Sequence, residues 1–200
     1  MQDWVFSVID HLGPVGVGFL IALENLVPPI PSEVILPLAG FRARDSGIDY
    51  AVLMWVAATI GALAGAWILY GLGAWLGYDR LERLSHRRWF VVASPKDVER
   101  GRALFDRNGS WIVAGARCVP VLRSLVSIPA GVARMPLVRF TALTASGAGV
   151  WNAIFITAGY LLAERWTVVQ NYTGPISTGV VILIVIVLAY AVWRRMRARG

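Results

Sequence analysis

The segment Glu24–Gly40, ENLVPPIPSEVILPLAG, decides the fold. It sets two carboxylates, Glu24 and Glu33, and four prolines, Pro28, Pro29, Pro31 and Pro37, inside strongly apolar sequence. Proline lacks a backbone N–H and its ring clashes with the preceding turn, so no continuous helix runs through Pro28–Pro31. The apolar arm before the break, Val15–Leu23, has nine residues, and the arm after it, Val34–Phe41, has eight. At 1.5 Å per residue each arm reaches about 12–14 Å, less than half of a hydrocarbon core about 30 Å thick. The segment therefore reads as a re-entrant hairpin: a helix in, a broken tip near mid-membrane, a helix out. Irregular backbone survives at that depth only where protein or a wet cavity covers it, so the tip is expected to line a site.

Composition agrees on the solvent. Hydrophobic residues make up 57% of the 200 and charged residues 16%, with a mean hydropathy of +0.62. A soluble core of this size does not need so much apolar sequence, and the chain reads as an all-α integral membrane protein, a single membrane domain over residues 1–200. The net charge of +7 raises a nucleic-acid reading. The arginines, however, cluster at the ends of apolar segments, as positive-inside topology and anionic lipid require. Cys118 is the only cysteine, so no internal disulfide forms. The N-terminus lacks a basic n-region and a small-residue cleavage site, so no signal peptide is expected.

Outward from the hairpin, residues 3–12 form a short amphipathic lead-in ended by Gly13-Pro14. Ala51–Tyr78 is continuously apolar and long enough for a tilted spanning helix. Residues 79–109 form a polar, partly amphipathic linker with eight Lys/Arg, stopped at Asn108-Gly109. Trp111–Met135 reads as a second re-entrant hairpin interrupted by Pro120 and Pro129. Pro136–Leu162 is a second spanning helix, and 175–193 a C-terminal one followed by Arg194, Arg195, Arg197 and Arg199. The basic linker and tail belong in the cytoplasm, which makes the first hairpin enter from outside and the second from inside. The motifs repeat in order: Ala39-Gly40 with Ala130-Gly131 at an offset of 91, and Ala64-Gly65-Ala66-Trp67 with Ala148-Gly149-Val150-Trp151 at 84. Residues 13–78 and 110–162 thus read as an inverted repeat, an arrangement whose broken helices meet near the midplane in many transporters.

Four charges fall within the hairpins: Glu24 and Glu33 in the first, Arg117 and Arg123 in the second. A charge at the bilayer centre costs roughly 2.5–3.5 kcal/mol, so each must pair or act. Two buried Glu–Arg pairs that only fix geometry are one reading. The other has the arginines bind a phosphate through their planar forks while the glutamates exchange protons. Half-helices beginning near Ser32 and Leu122 would aim their N-termini at the same anion.

These hairpins resemble the DedA family, relatives of the eukaryotic SNARE-associated Golgi (VTT-domain) proteins. The matching elements are the acidic, proline-broken ENLVPPIPSEVILPLAG and GARCVPVLR with its Arg117-x-x-Pro120-x-x-Arg123 spacing. Gly131, the YGLGAWLG run of Tyr70–Gly77, and Trp151 extend the likeness to about residues 10–165. The resemblance implies two re-entrant hairpins among spanning helices, and return of undecaprenyl phosphate to the cytoplasmic leaflet driven by the proton-motive force. Glu24 and Glu33 then match the family's acids, and Arg117 and Arg123 its paired arginines. Many members carry an acidic residue after the glycine corresponding to Gly65; here Ala66 stands there.

A passive glycerophospholipid scramblase is the alternative within transport, and a lipid-phosphate phosphatase the alternative with chemistry. The two histidines, His11 and His86, lie outside both hairpins, and no acidic metal cluster is present in the sequence. No catalytic residue, metal or cofactor is therefore expected. The expected partners are a polyprenyl phosphate or phospholipid and the membrane, with no nucleic acid; a homodimer is left open.

Overall fold

The computed structural model describes residues 3–26, 32–85, 95–117, 119 and 122–162. Every regular element among them is helical: α1 (Asp3–Leu26), α2 (Ser32–Ala43), α3 (Ile48–Ser85), α4 (Pro95–Ala116), α5 (Leu122–Leu125), α6 (Ser127–Val132) and α7 (Leu137–Leu161). The first hairpin's tip with Pro28, Pro29 and Pro31, as well as Cys118 and Pro120, lies outside the described residues. So do linker residues 86–94 with His86, and the helix expected over 175–193 with its arginine tail.

Ser7–Leu26, Ile48–Arg83 and Leu137–Leu161 are each long and apolar enough to cross a membrane. With 12 residues, α2 reaches about 18 Å and does not. The first arm is longer than the expected Val15–Leu23, because proline restricts only the residue directly before it and the helix persists to Leu26. Its outer limit is the bend at Gly13, with φ 54° and ψ −132°, next to Pro14. Only glycine takes that conformation cheaply, and a side chain there would strike the Tyr50 hydroxyl.

Two expected breaks fall differently. At Asn108 α4 bends (φ −133°, ψ 19°) and then resumes to Ala116, so Asn108-Gly109 redirects the helix rather than ending it. Pro129 does not break the second hairpin; it lies within the helical run Leu122–Val132. The Val126 and Ala130 amides donate to the Leu122 and Val126 carbonyls at 2.9 and 3.1 Å, carrying the run across. In the first turn of α6 the missing proline N–H forfeits little.

Close backbone crossings assemble these helices. Where α2 meets α7, a Cβ added to Gly40 would lie 2.0 Å from the Ile156 carbonyl oxygen, and one on Gly159 would lie 1.9 Å from that of Pro37. Where α6 meets α3, the same test gives 2.0 Å from Gly131 to the Tyr70 oxygen and 2.1 Å from Gly73 to that of Ile128. Each crossing thus has a glycine on both helices, and each admits the partner backbone in return. The short arm after each broken segment lies on the long helix of the other half of the chain.

Two apolar clusters fill the interior. Leu20, Ile21, Ile35, Leu36, Leu38 and Met54 centre the larger one; Ala66, Val113, Val126, Ala130, Met135 and Phe140 form the smaller. Outside, Val15, Phe19, Ile60, Trp67, Ile68, Leu72 and Trp75 are exposed. On a chain with three potential spans, so broad an apolar belt is a lipid-facing surface. The described residues thus form an all-helical membrane protein.

Candidate functional site

The polar residues of the interior gather where the broken helices end. Glu24 and Asn25 lie in the last turn of α1, Ser32 opens α2, Arg117 follows α4, and Arg123 and Ser124 belong to α5. Ser127 opens α6, while Thr144, Trp151 and Asn152 project from α7. Helix termini are where a membrane interior has backbone left to cover, so the breaks concentrate polar side chains.

Arg123 is 6% exposed. It makes a short ion pair with Glu24 Oε1, and the same Nη2 donates to Ser32 Oγ at 2.7 Å. Its guanidinium lies 5.5 Å from the centre of the Trp151 ring. Arg117, 4% exposed, has only hydroxyl partners: Nη2 donates to Thr144 Oγ1 at 2.8 Å and to Ser127 Oγ at 3.2 Å, with Phe140 beneath it at 5.6 Å. A neighbouring latch joins α1 to α5, where Ser124 Oγ donates to Asn25 Oδ1 at 3.0 Å.

The charges do not balance. Two guanidiniums stand against one paired carboxylate, which Arg123 alone holds, and Arg117 has no carboxylate partner among the described residues. Three buried donors, Arg117 Nε, Arg123 Nε and Trp151 Nε1, and two buried acceptors, Glu24 Oε2 and Asn152 Oδ1, have no hydrogen-bond partner among the described residues, although such atoms are costly to bury unpaired. The side chains of the three donors line one small cavity of about 10 Å³, together with Asn25 and Gly147. That is room for a single water and too little for a phosphate. Gly147 keeps the space for Arg117: a Cβ there would lie 2.8 Å from the arginine's own Cβ.

Of the residues singled out in the sequence, Glu24, Ser32, Arg117 and Arg123 thus meet at one place. Glu33 does not join them; it is half-buried and makes no hydrogen bond or ion pair among the described residues. Ala66 is fully buried in the smaller apolar cluster beside Phe140, the ring under Arg117. With alanine there, that position offers Arg117 no counter-ion. Sequence reasoning missed Asn25, Ser124, Ser127 and Thr144. Their signal was only that polar side chains inside apolar helices turn inward, which says nothing about which arginine each would meet.

Two guanidiniums and one paired carboxylate, buried where helices of a membrane protein end, are an arrangement that can receive an anion. The family profile described as VTT domain matches residues 30–161, and the chain belongs to this family, the DedA membrane proteins. It is 38% identical to the "Alkaline phosphatase-like protein" of Lactococcus lactis, over 96% of this chain and 90% of that one. It is 33% identical to "Undecaprenyl phosphate transporter A" of Staphylococcus aureus, over 95% and 94% of the two chains. The Bacillus subtilis protein of the same name is 30% identical over 92% and 89%. No solved structure matches the chain.

Proposed function

We propose that this protein carries a lipid phosphate across the membrane, most directly returning undecaprenyl phosphate to the cytoplasmic leaflet. The observation that supports this best is the pair of buried guanidiniums on one cavity, with three donors short of acceptors and a single paired carboxylate. A phosphate monoester supplies the missing acceptors and negative charge, and guanidinium forks match it. Relatives named for undecaprenyl phosphate transport favour that substrate.

In this reading, phosphate bridges Arg117 and Arg123 and competes with Glu24 for Arg123. Glu24, left without its counter-ion in an apolar interior, takes up a proton, since an unpaired buried carboxylate is the costlier form. Substrate entry and proton uptake are thereby linked through one side chain, and Glu33 serves as the second acid. The two broken segments are re-entrant hairpins of an inverted repeat, with the basic linker and C-terminus in the cytoplasm. The reciprocal glycine crossings support the repeat, because each half clasps the other in the same way.

Proteoliposomes loaded on one leaflet with a short-chain polyprenyl phosphate test the proposal. Wild type should move it faster under an imposed pH gradient, and the folded Arg117→Ala protein should not move it. Normal transport by that variant sinks the assignment, and phosphate released inside the vesicles would instead mark a phosphatase. Rates indifferent to the gradient would favour passive scrambling. Cysteine labelling should find residues 42–49 and 80–107 on opposite sides; labelling from one side would overturn the inverted topology.

A further inference from the structure

We propose a second anion site, separate from Arg117 and Arg123, that takes the phosphodiester headgroup of an anionic phospholipid. It is the cavity of about 390 Å³ between the bend of α4 and the turn joining α6 to α7. That volume is within the range of small-molecule sites, whereas the pocket between the buried arginines holds only about 10 Å³.

Three arginines line it: Arg107 beside the Asn108 bend, Arg134 in the α6–α7 turn, and Arg139 in the first turn of α7. The side chains of Arg107 and Arg134 make no hydrogen bond or ion pair among the described residues. Arg139 has one long contact, Nη1 to Ser110 Oγ at 3.5 Å. Asp106 is the one carboxylate in the lining, and it already lies 3.9 Å from Arg102. The cavity therefore presents three guanidiniums with little to neutralise them. Arg134 is held there by a left-handed backbone, φ 49°, the only positive φ at a non-glycine position among the described residues.

The rim selects a lipid over a free anion. Trp111 in the lining is 82% exposed, and Val138 next to Arg139 is 83% exposed. An exposed tryptophan beside a basic pocket is how a membrane interface is built, with the ring at headgroup depth and chains running along the apolar residues. Arginine forks hold a phosphodiester as readily as a monoester. The site needs no assumption about what Arg117 and Arg123 carry.

The purified full chain in detergent, titrated with phosphatidylglycerol, phosphatidylcholine or inorganic phosphate and read by native mass spectrometry, tests this. Wild type should retain phosphatidylglycerol in preference to phosphatidylcholine, and inorganic phosphate at equal concentration should not displace it. Arg107→Gln should weaken retention about fivefold, and Arg107→Gln/Arg134→Gln/Arg139→Gln on the order of a hundredfold, given the worth of each basic residue at an anionic surface. Arg117→Gln, which frees only hydroxyls, should retain phosphatidylglycerol like wild type. Retention unchanged in Arg107→Gln, which has no partner whose loss could unfold the chain, overturns the proposal. So does loss of retention only in Arg117→Gln, or displacement by inorganic phosphate, which would make this a free-anion site.

Discussion

The two halves of the molecule are held alike and equipped differently. In the first half α2 presses Gly40 against α7; in the second α6 presses Gly131 against α3, and each contact is returned by a glycine of the long helix. The chemistry carried on these matching frames is complementary. The first half brings the carboxylate of Glu24 and the hydroxyl of Ser32, the second brings both arginines. Packing between the halves is thus the same at both crossings, while the buried charge is divided unequally between them. Because the one buried ion pair among the described residues, Glu24 with Arg123, forms only where the halves meet, the site is sensitive to their relative position.

The largest effect should come from breaking the one charge pair that joins the halves. Arg123→Ala leaves Glu24 buried without a counter-ion and should cost about 3–5 kcal/mol of stability. Arg117→Ala frees only hydroxyls, and should cost less than half as much. Thermal and denaturant unfolding in detergent compare the two, and equal losses would mean that the arginines are not differently compensated.

Next in size are the crossings. Gly40→Ala and Gly131→Ala each force a Cβ onto a partner carbonyl and should destabilise by similar amounts, about 1–3 kcal/mol. Gly71→Ala, with nothing within 4 Å of its added Cβ, should stay within about 0.5 kcal/mol of wild type. A large effect at one crossing and none at the other would break the likeness of the halves.

Lysine substitutions sharpen the chemical half of the comparison. Arg117→Lys and Arg123→Lys keep the charge and lose the fork, so lipid-phosphate affinity should fall by about 1–3 kcal/mol for each charged hydrogen bond removed. Binding unchanged by both would leave the guanidiniums with a packing role.

The last pair of substitutions separates the two acids. Glu33→Gln, lacking an ion pair among the described residues, should change stability by no more than about 0.5 kcal/mol. Glu24→Gln should abolish the response of transport to a pH gradient while phosphate still binds, and Glu33→Gln should only weaken it. A gradient response lost through Glu33 alone would move the proton site away from Arg123.

The sequence by itself determined the solvent and the breaks. Apolar composition and length imposed helices in a membrane, because no other described element satisfies its backbone there. Gly13-Pro14 marked a bend that the structure also has, since few residues tolerate that conformation. Charge in apolar sequence singled out Glu24, Arg117 and Arg123, because burial makes each costly. Local pattern failed where neighbours decide. It called Pro129 a break, although a proline in the first turn of α6 interrupts little. It set Glu33 beside Glu24 without telling which of them meets an arginine, and among the described residues that is Glu24. Only the tertiary structure gave Arg123 a carboxylate and Arg117 two hydroxyls from α6 and α7, since those partners lie between 10 and 99 residues away along the chain. No local pattern encodes such distances; the close glycine crossings, which fix where each helix lies on its neighbour, decide them.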